Sequence, residues 1–326
     1  MNNTIKIFFY STLSLLLVVY LAVAYGSGGF YPLLGLNSEH SYIFPIRFPR
    51  VLLAATVGSV LSLTGAALQG LLRNPMVSPY TIGVSSGASL GAVLAIRFGA
   101  ENWFGGSFGL VPVAISGGIF AIILLFVLAE SGLGWSATNI LLAGITLSFF
   151  CSSAVMFIQY TSTYVESFKM VRWLMGGLDF VTYKDLIFVS TTLILGILGL
   201  IPLGRSLNYL SLGKETAFTS GIDHKKLTLR IFFFSSLIVA ISVSVVGPIA
   251  FTGLVVPHIL RISGNYDYRK LLPLSMIAGA IFMILADLIS RIVLAPRQIP
   301  VGIVTSLIGG PYFLFLLLKE SHRRFE

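Results

Sequence analysis

The sequence has little charge, one cysteine in 326 residues and no complete nucleotide or metal motif. The lone Cys151 excludes an intrachain disulfide, and its apolar surroundings suit a small packing residue. Charged residues make up 10% of the chain, against about 25% in a soluble domain. A water-soluble core could not hide so much apolar surface, so the chain is an integral membrane protein. A G-x-x-x-x-G-K-[ST] phosphate loop is missing: Gly213-Lys214 runs into Glu215, and Asn208 stands where the first glycine belongs. There is no H-E-x-x-H, and the four histidines are scattered, so neither a metal nor another cofactor is expected on this chain. Of the twelve acids only Asp287 lies well inside an apolar run, four residues from Arg291 on one helix face, where the two could neutralise each other. No proton relay and no facing pair of catalytic groups is visible, which argues against a proton pump and a membrane-embedded enzyme. The energy for any transport must come from outside the chain.

What the sequence has in abundance is long hydrophobic runs. Ten stretches approach the roughly 20 residues a spanning helix needs: 5–25, 51–72, 83–97, 110–129, 138–159, 185–204, 229–247, 248–263, 273–294 and 301–318. The first is too long for the apolar core of a signal peptide and is read as a retained span. Ten spans place both termini on one side. With that side inside, eight of the 21 cations fall outside (Arg47, Arg50, Arg97, Lys169, Arg172, Lys184, Arg291 and Arg297) and the larger number inside, as the positive-inside rule prefers. The +9 charge is therefore a matter of topology, and its dispersal gives no nucleic-acid surface.

Spans three and eight are short, Gly/Pro-interrupted and five apart in order, which predicts two inverted repeats. Gly65 and Pro75, ten apart, are echoed by Gly247 and Pro257. The polar elbow Asn74-Pro75-Met76 leads to Gly83, Gly87 and Gly91, a ladder that predicts close helix packing along one face. The longest inner loop, about residues 205–228, mixes apolar and charged residues with breaks at Gly213 and Gly221. It predicts one or two short amphipathic helices, resting either on lipid headgroups or on a cytoplasmic partner. Thr138 and Asn139 at the start of span five, like Asn74, are also ordinary helix-capping residue types.

Several motifs in order resemble one family. They are Arg47-Phe-Pro-Arg50, Gly65-Ala-Ala-Leu-Gln69-Gly70, Arg73-Asn74-Pro75, Ser85-Ser86-Gly87, Leu141-Leu142-Ala143-Gly144 and Trp173-Leu-Met-Gly176-Gly177. Gly247-Pro248-Ile-Ala-Phe251, Pro257-His258, Ala286-Asp287-Leu288 and Pro300-Val301-Gly302 complete the set. The whole chain resembles the FecCD-type permease subunits of ABC importers for iron-siderophores, haem and vitamin B12. The resemblance implies an all-α polytopic fold of the type II importer class, one permease domain over 1–326 with a cytoplasmic coupling loop at 205–228. It also implies a bacterial or archaeal cytoplasmic (inner) membrane location with both termini cytoplasmic. The implied partners are a second permease copy, by default an identical one, two cytoplasmic ATPase subunits that use ATP and Mg, an extracytoplasmic binding protein and membrane lipid. It assigns Arg47, Arg50 and Arg291 to docking the binding protein. Leu212, Gly213, Glu215, Gly221, Asp223 and His224 fall to coupling with the ATPase, and Asn74, Pro75, Met76, Thr138 and Asn139 to the inner gate. The contrasting expectation is a secondary transporter or channel that works without ATP, for which Asp287 would be essential.

Overall fold

The structure is a computed structural model that describes residues 3–26, 28–31, 43–100, 109–133, 136–179, 182–264 and 267–323. Among them the chain is almost entirely helical. The first helices are α1 (Asn3–Ala24), α2 (Ile43–Leu72), α3 (Val84–Arg97), α4 (Leu110–Leu128), α5 (Ala137–Tyr160), α6 (Tyr164–Leu174) and α7 (Tyr183–Gly199). They are followed by α8 (Gly204–Leu212), α9 (Lys214–Thr219), α10 (His224–Val246), α11 (Thr252–Ile262), α12 (Tyr268–Ile292) and α13 (Val301–Arg323). A two-residue antiparallel ribbon, Tyr25–Gly26 with Gly29–Phe30, follows α1. Seven helical stretches are long and apolar enough to cross a membrane, and α3, α11 and Val301–Leu316 of α13 are shorter apolar helices. Together they occupy the ten predicted positions.

Several boundaries differ from expectation for local reasons. Helix α2 starts at Ile43, because a first turn tolerates Pro45, so Arg47 and Arg50 are helical instead of preceding the span. Helix α10 starts at His224, where Asp223 accepts the Lys226 N–H as an N-cap. Span eight begins only at Thr252, because Gly247 (φ 74°) and Phe251 (φ 66°) turn the chain out of the helix. Helix α6 was not expected at all. Thr163-x-x-Glu166 writes a reciprocal capping box at its start, and this was the overlooked signal.

Helix α2 is the axis of the bundle. From Val51 to Leu72 every residue except Leu52 and Ala55 is buried, and the helix packs against α12, α11, α7 and α10. A stripe facing lipid on no side must be small or apolar nearly all round, and from Val51 to Leu72 α2 is, with Gln69 the exception. Its crossings are so close that a Cβ on Gly58 would strike the Gly279 carbonyl of α12, and one on Gly65 the Gly253 carbonyl of α11. The helices α1, α4 and α5 instead turn Phe9, Phe120, Phe149, Phe150 and Phe157 outward.

The inverted repeat lies in backbone handedness. Helix α2 ends at Arg73 (φ 50°) and α10 at Gly247 (φ 74°). Gly83 (φ 85°, ψ −6°) and Phe251 (φ 66°, ψ −28°) then form matching left-handed entries to the short helices α3 and α11. The predicted residue echo is not the structural equivalence. Gly65 is mid-helix and touches Gly253, whereas Gly247 caps α10; Pro75 sits in the elbow, whereas Pro257 is inside α11. The glycine ladder is corrected too. Gly83 is the cap of α3 and faces Gly144 and Leu147 of α5, while only Gly87 and Gly91 are helical and face α4 at Gly117 and Val113.

Candidate functional site

The polar groups gather at the two ends of α2. At one end Arg50 and Arg291 share Asp287. Arg50 Nε donates to Asp287 Oδ1 at 2.8 Å, and Arg291 Nε lies 3.0 Å from Oδ2 as an ion pair whose N–H does not point at the oxygen. Asp287 has no exposed surface and Arg291 only 3%. Helix spacing on α12 brings Asp287 and Arg291 together, and the antiparallel α2 brings Arg50. Arg50 also donates to Gln298 Oε1 at 2.5 Å and lies 3.3 Å from Asp179 Oδ1. Arg47 and Arg291 then turn to the end of α1: Arg47 Nη1 donates to the Val23 and Ala24 carbonyls, and Arg291 Nη2 and Nη1 to those of Ala22 and Tyr25. Those of Ala22, Val23 and Ala24 are carbonyls left without an intrahelical donor at the end of α1, Ala24 also accepting the Tyr31 N–H, and Tyr25 belongs to the ribbon that follows. So the three predicted docking arginines form one cluster that also holds the structure together. Beside it, Arg97 pairs with Glu166 at 3.1 Å, and Arg172 and Lys169 of α6 line a cavity of about 370 Å³ with Trp173, Asp179 and Asp185. The Thr163 N–H bond, helped by Arg97, holds the Glu166 carboxyl below its ordinary value.

The other end carries the elbow and the 205–228 loop. Asn74 Oδ1 accepts the Met76 N–H at 2.9 Å, a turn within the elbow, and Met76 is exposed. Beneath it Gln69 is 1% exposed, and its Nε2 donates to the carbonyls of Val77, Gly253 and Leu254. One side chain thereby ties α2, the elbow and α11 together. Nothing in the sequence singled out Gln69 beyond its place in a motif. At the start of α5 the cap is Ser136, which accepts the Asn139 N–H; Thr138 and Asn139 follow it inside the helix, so the capping alternative belongs to neither side chain.

The loop is the predicted pair of short helices. Helices α8 and α9 are separated by Gly213 (φ 140°), and Gly221 (φ 77°) leads into the Asp223 cap of α10. Asp223 is held below its ordinary value chiefly by the backbone N–H of Lys226. Glu215 is exposed in the first turn of α9, and His224 opens α10. Leu212 and Phe218 are 71% and 80% exposed, large apolar groups at the tips of α8 and α9. Phe218 is a residue the sequence did not single out. Lys225 pairs with Glu130 at 2.8 Å, joining the loop to the turn after α4. Asn208 clips α8 to α12, donating to Asp267 Oδ1 at 2.6 Å and accepting the Tyr268 N–H at 2.8 Å. Among the described residues no group of three His, Cys, Asp or Glu could hold a metal ion.

A sequence profile of the FecCD transport family matches residues 9–319. The chain belongs to the FecCD transport family. It is similar to the hemin transport system permease protein HmuU of Yersinia pestis, at 38% identity over 283 residues, 86% of this chain and 84% of that one. It is also similar to the vitamin B12 import system permease protein BtuC of Salmonella paratyphi A, at 36% identity over 287 residues, again 86% and 84%. Among solved structures, an inward-facing conformation of a metal-chelate type ABC transporter superposes with a TM-score of 0.84 at 33% identity, covering 97% of this chain and 99% of that one. As a FecCD protein the chain is an ABC-transporter permease, a transport component and not an enzyme. Its membrane-spanning, all-helical build agrees with that family.

Proposed function

We propose that this chain is the membrane permease of a binding-protein-dependent importer that carries an iron chelate, siderophore or haem, or a cobalamin inward. One permease unit spans the chain and works as a pair of copies in a bacterial or archaeal cytoplasmic (inner) membrane, with both termini and the elbow end cytoplasmic. Two partner ATPases bind and hydrolyse ATP with Mg, and an external protein delivers the cargo to the Arg50 end. The observation that carries this is the division of one FecCD chain into two unlike ends. One presents buried arginines around Asp287; the other presents two short helices tipped with exposed Leu212 and Phe218.

In this reading Arg47, Arg50 and Arg291 form the docking field for acidic lobes of the binding protein. The coupling loop engages the ATPase through Leu212, Gly213, Glu215, Gly221, Asp223 and His224, with Phe218 added. Asn74, Pro75, Met76, Thr138 and Asn139 close the pathway. Transport needs no tight site here, because the binding protein supplies affinity. The relatives' cargoes, hemin and vitamin B12, support this cargo class.

The test is uptake of haem and of cyanocobalamin into proteoliposomes holding the permease with its co-purified ATPase and binding protein. ATP-dependent uptake that falls at least tenfold in a Leu212→Ser/Phe218→Ser double variant of unchanged thermal stability is expected. Uptake without ATP that Asp287→Asn abolishes would overturn it in favour of a secondary transporter.

A further inference from the structure

At the elbow end a cavity of about 300 Å³ opens between α2, α8, α11 and α12, lined by Gln69, Gly70, Arg73, Pro75, Ser211, His258, Arg261 and Tyr268. Its chemistry is unbalanced. Arg261 meets the Tyr268 hydroxyl, yet its buried Nε and Nη2 have no hydrogen-bond partner among the described residues. Gln69, with its Nε2 committed to three carbonyls, leaves a buried Oε1 unpartnered as well. Arg73 adds a second guanidinium at the mouth, where its left-handed backbone turns the chain off α2. Among the described residues no carboxylate lines this cavity, unlike the cluster at the Arg50 end. A buried guanidinium without a counter-charge is costly, and a ligand that supplies one removes the cost.

The level in the membrane narrows the ligand. Arg50 and Gln69 stand on one helix about 28 Å apart at 1.5 Å per residue, close to the roughly 30 Å of a bilayer's apolar core. With the Arg50 cluster at one interface, the cavity lies at the depth of the opposite headgroups. Basic pockets between spanning helices at that depth suit anionic lipid headgroups.

We propose that this cavity binds a phosphate group, held by Arg261 and Arg73, with Gln69 Oε1 free to accept a hydroxyl of the same ligand. The phosphate is that of an anionic lipid such as phosphatidylglycerol or a free phosphate from the aqueous side. The site stands on the membrane placement alone, so its failure would leave the importer reading untouched.

The experiment uses the full-length permease, reconstituted in nanodiscs of phosphatidylcholine with and without phosphatidylglycerol, and separately in detergent with inorganic phosphate. Thermal unfolding and native mass spectrometry of retained lipid are the readouts. Wild type should be stabilised by one of the two phosphate sources. Arg261→Gln and Arg73→Gln should each weaken that response at least tenfold, the loss of a charged hydrogen bond. A response to phosphatidylglycerol alone identifies a lipid site, and one to inorganic phosphate alone a soluble anion; either supports the proposal. Arg73 is exposed and lies off the helix end, so its variant decides the matter if Arg261→Gln fails to fold. Equal responses of wild type and both variants in both arms would overturn it.

Discussion

The two ends of α2 solve the same problem in opposite ways. At the Arg50 end, buried guanidiniums are neutralised from within: Asp287 lies between Arg50 and Arg291, and the spare N–H groups of Arg47 and Arg291 close the end of α1. At the elbow end, Arg261 has open donors as Arg50 and Arg291 do, but among the described residues it has no carboxylate beside it in the cavity, and the polar side chain that does the tying, Gln69, carries no charge. Internal neutralisation makes a rigid plate whose parts cannot be removed singly. Neutral ties and open donors leave an end that can change partners. The proposed importer, docking at one end and moving at the other, would need this asymmetry.

The largest effect should come from breaking the plate. Asp287→Ala strands two buried cations and should cost about 3–5 kcal/mol, read as a collapse of the thermal midpoint in detergent. A midpoint within a degree of wild type would mean the cluster is solvated and the contrast false. The equivalent change at the elbow end should be milder. Gln69→Leu keeps the volume but leaves the carbonyls of Val77, Gly253 and Leu254 without their donor, costing about 1–3 kcal/mol. Hydrogen exchange should rise in the elbow and the first turn of α11 and stay level at Arg50. The smallest effect sharpens the elbow end itself. Burial opposes ionisation of Asp267, but the Asn208 amide and the Arg269 N–H hold its carboxyl below the ordinary value. A depressed carboxylate contributes stability above its unfolded pKa, about 3.9, and loses it as pH falls through the folded value. Protection of α8, corrected for the intrinsic pH dependence of amide exchange, should therefore be flat from pH 5 to 8 and fall only in stronger acid; in Asn208→Ala it should be lowered throughout.

Much of this was legible in the sequence because membranes simplify the code. An apolar run of the right length has one fate, and the ten stretches became ten apolar helices. Gly213 and Gly221 broke the loop where they stand. Asp287 and Arg291, four apart, found each other. Arg50 joined them across 237 residues, a partnership no local pattern records. The repeat was legible as an order of elements but not as residues. Its equivalence is a left-handed backbone, which glycine adopts at 83 and a phenylalanine at 251. Gln69 and Phe218 were missed for a related reason: their importance lies in carbonyls of the elbow and of distant α11, and in exposure, neither of which is a sequence pattern.

The clasp on α1 bears on how the protein is made. A nascent chain delivers α1 to the bilayer before α2 and α12, with its last carbonyls still without the arginine donors that close them. Arg47 arrives with the next helix, but Arg291 is synthesised 269 residues after Ala22. A span that inserts ahead of both partners is thus locked only late, and the same contact that closes it reports that α12 has reached its place.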